Sequence, residues 1–167
     1  DTVTDPLIGY WSDRYYSRKG TRKPFVAAGG IILAVSGYFL YSPVGEVSSV
    51  YFLFWFCMFF LGFTLFEIPH LSWGGSMGST SGERSRVMSY RYLATAASGI
   101  LYFATPYLPL FETAEITPET ARFSALAGGL FFLAFLVICL FATPNTGGAA
   151  REIALNPVLS KPKNISV

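Results

Sequence analysis

Four stretches of this chain are apolar over the length of a membrane crossing, and that limits the fold more than any other feature. Residues 25–42 run from Phe25 to Ser42 without a charge. Residues 48–71 hold a single charge, Glu67, and residues 88–110 hold a single charge, Arg91. Residues 122–142 open with Arg122 and carry no charge after it. A helix needs about 20 mainly apolar residues to cross about 30 Å of hydrocarbon. Inside lipid every backbone polar group must be satisfied within the protein, so such runs become helices. Composition agrees: 13% of residues are charged, where a soluble domain carries about 25%. The expected fold is all-α, a polytopic transmembrane helical bundle. Cys57 and Cys139 both lie in apolar runs, which reads as small apolar residues rather than a disulfide framework.

The remaining segments fall between the runs. Residues 1–11 resemble the end of a helix whose start is missing, since eleven residues span only about 16 Å. No secretory signal or initiator Met opens the chain, and the expectation is a piece of something longer. Residues 12–23 read as a polar turn with Gly20 and then Pro24. Pro43 and Gly45 end the first full run. Residues 72–87 are rich in Gly and Ser and read as a loop. Thr117 and Pro118 read as N-cap and first position of the last helix. The expected organisation is a bundle over 1–142, with helices at about 24–42, 48–71, 88–110 and 122–142, followed by a polar loop or tail at 143–167.

Basic residues are unevenly placed. Residues 12–23, 72–91 and 143–167 hold 5, 3 and 3 Lys or Arg, 11 of the 12 in the chain. The opposite loops hold Arg122 with Glu46, Glu112, Glu115 and Glu119. Positively charged short loops stay cytoplasmic, so the loops at 12–23 and 72–87 and the tail are expected there, in a multi-pass protein of the plasma (inner) membrane.

Charges within or beside such runs are costly and point to function. Asp1 and Asp5 stand four apart, on one face of a helix. Pro6 leaves the carbonyl of Thr2 without its helical donor, and Thr4 adds a hydroxyl. Hard oxygens of this kind suit Na⁺ or Li⁺, and a close carboxyl pair equally suits H⁺. The same residues also fit a plain helix cap at Asp5-Pro6. Glu67 precedes Ile68-Pro69, and Pro69 frees the carbonyl of Leu65. Arg91 is its natural partner, and an acid with a guanidinium can hold sugar hydroxyls from both sides. The alternative puts Arg91 at the interface and Glu67 against backbone. His70, the only histidine, borders that cavity or caps its helix. Asp13, Arg14, Arg18, Arg22, Arg84 and Arg86 fit either a cytoplasmic latch between helix ends or ordinary solvated charge. No phosphate loop, zinc spacing or nucleophile elbow is present, so the chain is not expected to be an enzyme. No cofactor is expected, nor any metal beyond the coupling ion at Asp1 and Asp5.

The motif Asp1-xxx-Asp5-Pro6-xx-Gly9-xxx-Asp13-Arg14, followed by Ser17-Arg18-x-Gly20-x-Arg22-Lys23-Pro24, resembles the second helix and following turn of the glycoside–pentoside–hexuronide:cation symporters. These form the sodium:melibiose-symporter-like branch of the major facilitator superfamily. Glu67-Ile68-Pro69, then Glu83-Arg84-x-Arg86 and Ser89-Tyr90-Arg91, is similar to that family's fourth helix, loop and fifth helix. The resemblance implies helices 2 to 6 of a twelve-helix transporter, part of its N-terminal half, with 143–167 as its central cytoplasmic loop. It implies a cation site at Asp1 and Asp5 and a sugar site at Glu67 and Arg91. The implied function is cation-coupled symport of a sugar or glycoside by alternating access, with the bilayer and the remaining helices of the full-length chain as partners and no nucleic acid. Lipid-transporting relatives share the first motif, which leaves a lysolipid or other amphiphile as a second cargo class. A non-transporting membrane scaffold or receptor subunit is the rival outside transport.

Overall fold

The computed structural model describes residues 4–78, 80–143 and 145. They form five helices: α1 (Thr4–Lys19), α2 (Lys23–Tyr41), α3 (Ser49–Gly75), α4 (Ser81–Ala104) and α5 (Pro118–Ala142), with one 3₁₀ turn at Thr105–Tyr107. No strand occurs among the described residues. Three helices are long and apolar enough to cross a membrane: α2, α3 and α5. The chain is thus a helical, membrane-spanning protein. The fourth expected span, within α4, does not meet that measure. Arg84, Arg86 and Arg91, with several hydroxyl residues, make α4 the most polar of the long helices.

Helix boundaries follow capping chemistry. Gly20 adopts φ 71°, the left-handed conformation that costs glycine nothing, and its N–H donates to the Tyr16 carbonyl at 2.7 Å. This ends α1 at Lys19, so residues 12–19 are helical and the turn is confined to residues 20–22. Arg18 and Lys19 in the last turn suit the negative end of the helix dipole. Ser48 caps α3, its hydroxyl accepting from the Tyr51 N–H at 3.1 Å. α3 continues through Pro69 to Gly75, four residues past the expected end. α4 starts early because Thr80 and Glu83 form a reciprocal capping box. Glu83, Arg84 and Arg86 therefore belong to a helix, not to the loop expected at 72–87. Thr117 caps α5 and Pro118 occupies its first turn, as the sequence predicts.

The bundle is held where glycines let backbones meet. A Cβ on Gly29 of α2 would lie 2.4 Å from the Phe66 nitrogen and 2.6 Å from the Leu65 carbonyl carbon of α3. Reciprocally, a Cβ on Gly62 of α3 would lie 2.7 Å from the Leu33 nitrogen of α2. Such close crossings gain dispersion contacts where lipid removes the hydrophobic drive for helix association. α5 joins through Leu136, whose methyl occupies the space beside Gly30, and through Phe132, edge-on to Phe66 at 5.2 Å. Val26, Trp73 and Leu136 form the buried cluster of α2, α3 and α5.

One end of this body is tied by charge. The Lys23 ammonium donates to the Leu140 carbonyl at 2.7 Å and lies 5.6 Å from the Trp73 ring. Arg22 pairs with Asp13 at 2.7 Å and sits 3.9 Å over the Tyr16 ring. The α1–α2 turn and the final turns of α3 and α5 therefore share one end of the bundle. Most of the polar segment expected at 143–167 lies outside the described residues.

Candidate functional site

The two charges that the sequence leaves inside apolar runs meet in space. Glu67 sits on α3 two residues ahead of Pro69, beside Phe66, which packs against the buried cluster. Arg91 sits two to three turns into α4. Its Nη2 donates to Glu67 Oε1, and the pair joins α3 to α4. Their side chains are 27% and 31% exposed respectively, so neither is sealed from a ligand. Just past the pair, toward the tied end, Gly74 and Gly75 face Val87 and Met88 across the same helix gap. The sequence brings the pair together in a simple way. The short link from Ser76 to Thr80 turns the chain back, and α4 runs antiparallel to α3 from its cap. Two opposite charges at similar depth then neutralise each other, which lowers the cost of holding either in a low-dielectric setting.

His70 lies one turn beyond Glu67, half-buried, with its ring stacked on Phe66 at 5.1 Å. Phe66 in turn contacts Phe132. His70 is thus at the edge of the Glu67 turn and packed toward α5.

Asp5 is half-buried on α1, and the Thr4 hydroxyl donates to its Oδ1 at 3.5 Å, at the weak limit of a hydrogen bond. One turn on, Gly9 faces Ile68, the residue after Glu67, at 3.9 Å from the position of a Cβ. α1 therefore touches α3 at Ile68, one turn past Asp5. Asp1 and Thr2, the other two members of the expected cation site, lie outside the described residues.

Of the six expected latch residues, Asp13 and Arg22 join two helices. Arg14 instead donates to the Tyr10 hydroxyl of its own helix at 3.0 Å. Arg84 Nε donates to the Gly78 carbonyl at 3.0 Å and closes the α3–α4 link. Arg18 and Arg86 are exposed on α1 and α4. A further tie at this end comes from Lys23, in the same basic stretch that the sequence offers as a latch. Its partner is a backbone carbonyl 117 residues away, and nothing in a sequence marks one carbonyl among many.

Comparison with known proteins follows from this arrangement. The family described as MFS/sugar transport protein matches residues 1–155. "Putative glycoside/cation symporter YagG" of Escherichia coli (strain K12) is 29% identical over 148 residues, covering 86% of this chain and 32% of its own length. "Inner membrane symporter YicJ" of the same organism is 24% identical over 163 residues, covering 91% of this chain and 35% of its own length. The chain spans about a third of the length of these curated relatives. No solved structure matches it. The resemblance to glycoside–pentoside–hexuronide:cation symporters drawn from the two motifs is borne out at this level. With its helical bundle and the family match over most of its length, the chain belongs to the MFS/sugar transport protein family.

Proposed function

We propose that this chain is part of a secondary active transporter that couples the movement of Na⁺ or H⁺ to symport of a sugar or glycoside, by alternating access. The observation that carries this reading is the Glu67–Arg91 pair, held between α3 and α4 in a family of sugar transporters. A carboxylate accepts from two sugar hydroxyls and a guanidinium donates to others. A sugar entering between them exchanges ion-pair contacts for its own. Asp5, with Thr4, Asp1 and Thr2, would hold the coupling cation on α1. The α1–α3 contact at Gly9 and Ile68 supports coupling, because a cation near Asp5 would steady α1 against the residue that follows Glu67. Each ligand then binds better when the other is present. His70 borders the sugar site. The end carrying Asp13, Arg22, Lys23 and Arg84 is cytoplasmic on this reading, by the excess of basic residues there. The protein is not an enzyme.

An amphiphilic cargo has one observation in its favour. A groove of about 660 Å³, lined almost wholly by apolar side chains such as Leu33, Phe39, Phe63 and Leu133, runs between α2 and α5. On α3 it is lined by Phe59 and Phe63. The groove is lined by no charged residue; the sugar reading rests instead on the Glu67–Arg91 pair, one turn past Phe63 along α3.

The test is thermal stability of the full-length protein in detergent, against methyl glycosides, disaccharides and lysolipids, with and without Na⁺. A ligand that binds only the folded state raises the midpoint by mass action. The expected outcome is a sugar-dependent rise that requires Na⁺ and loses that requirement in Asp5→Asn. A rise with lysolipid alone would support the amphiphile. An unchanged Na⁺ response in Asp5→Asn would remove α1 from the cation site, and a scaffold predicts no shift with any of these ligands.

A further inference from the structure

Past Arg91, the Thr and Ser hydroxyls of α4 keep to one stripe. Counting from Arg91, Thr95 and Ser98 follow at i+4 and i+7, so all three lie on one face of the helix. Leu93, Ile100 and Phe103 lie on the opposite face, and all are well exposed. A face bearing a guanidinium and hydroxyls does not belong against lipid. Arg91 fixes its direction, because Arg91 reaches Glu67 on α3. Thr95 and Ser98 continue that direction away from the tied end, where both side chains are exposed.

Their hydrogen bonding leaves a specific capacity. The Thr95 hydroxyl donates to the Arg91 carbonyl at 3.0 Å, and the Ser98 hydroxyl donates to the Thr95 carbonyl at 2.8 Å. Each proton is committed to the helix, which leaves the oxygen's lone pairs as acceptors. Two acceptors in line with an Arg–Glu pair suit a ligand with several hydroxyl donors. From Arg91 to Ser98 the helix rises about 10 Å, the length of a disaccharide rather than a monosaccharide.

We infer that Thr95 and Ser98 are specificity-determining residues that accept hydrogen bonds from the second ring of a glycoside whose first ring is held by Glu67 and Arg91. The inference rests on the sugar-site reading above. It assigns the stripe a role in choosing between one ring and two, which the ion pair alone does not supply.

Equilibrium binding to the full-length protein in detergent tests it, using methyl hexosides and the matching disaccharides (lactose, melibiose, maltose) as probes. Thr95→Val and Ser98→Ala should each lower the disaccharide-to-monosaccharide affinity ratio about fivefold, the loss expected for one hydrogen bond. Arg91→Gln should weaken both probe classes. If Arg91→Gln weakens both and the hydroxyl variants leave the ratio unchanged, the stripe is overturned and the ion-pair site stands. A ratio that holds because both classes weaken together in Ser98→Ala also overturns it, since Ser98 would then serve the first ring or the helix itself. If Arg91→Gln changes neither class, or no sugar binds the wild type, the sugar-site reading falls and this inference with it.

Discussion

The α2–α3 crossing gives the most direct test of the packing, because its distances set the size of the effect. Alanine at Gly29 would place a methyl 2.4 Å from the Phe66 nitrogen, while ordinary contact begins at 3.4 Å. The obstacle is backbone, so the helices must part by about 1 Å or bend. Overpacking of this kind costs about 1–3 kcal/mol. Alanine's better helix propensity returns about 1 kcal/mol. With backbone on the other side the upper part of the cost applies, and the net loss should be about 2 kcal/mol. Gly62→Ala meets the Leu33 backbone at 2.7 Å and should cost about the same by the same reasoning. The double variant should lose less than the sum, since helices already parted have room for the second methyl. Gly99→Ala on α4 is the control: a Cβ there meets nothing within 4 Å. It should be neutral or more stable by up to about 1 kcal/mol. The assay is reversible unfolding in mixed detergent micelles titrated with SDS. If Gly29→Ala and Gly62→Ala unfold at the same SDS fraction as Gly99→Ala, the glycines are not what brings the helices together.

Three further outcomes follow from named contacts. Lys23→Met should lose about 1 kcal/mol, a charged hydrogen bond discounted for its partial exposure, and Lys23→Arg should recover much of it; the same SDS titration reads both. Thr117→Ala removes the hydroxyl that accepts from the Thr120 N–H at 3.3 Å and should cost about 1 kcal/mol, whereas Thr117→Ser should be close to wild type. Glu67→Gln and Arg91→Gln should each destabilise more than the double variant Glu67→Gln/Arg91→Gln, because a single change strands the remaining charge and the double change strands none; a double variant as unstable as the sum of the singles would show that the two side chains act separately.

How far the sequence reaches depends on what kind of partner a residue has. Glu67 and Arg91 were legible as a pair because charges are scarce in this chain and both fall within apolar runs. Scarcity made pairing an argument by elimination. The partner of Lys23 is not legible, because it is the Leu140 carbonyl and every residue offers a carbonyl. The α1 and α4 boundaries show a different difficulty. Charge and glycine content marked residues 12–19 and 81–87 as connecting segments, on the view that a membrane helix stops where the hydrocarbon stops. A helix stops where its end groups are satisfied. Gly20 does this for α1, and the Thr80–Glu83 box does it for α4. Both signals are present in the sequence, one as a lone glycine after a basic turn and the other as the spacing Thr80-x-x-Glu83. Thr117-Pro118 was read by that logic and the structure places it at the start of α5.

The same distinction explains why α4 carries the functional argument although it is the least buried helix. α2 and α3 are fixed by backbone-close contacts at Gly29 and Gly62, and α5 packs its Leu136 side chain against Gly30 of α2. Their faces serve packing, and apart from Glu67 their charges stand near the ends. α4 has no buried residue among those described and meets α3 through Glu67–Arg91 and the two glycines beside Val87 and Met88. A helix so lightly packed is free to carry arginine and hydroxyls on one face. A ligand that replaces the Glu67–Arg91 contact would act on one of the few ties that set its position. If the pair holds the ligand as proposed, binding and the placement of α4 are linked through it, and the charge-neutral double variant should stay folded while losing that ligand, which separates folding from recognition.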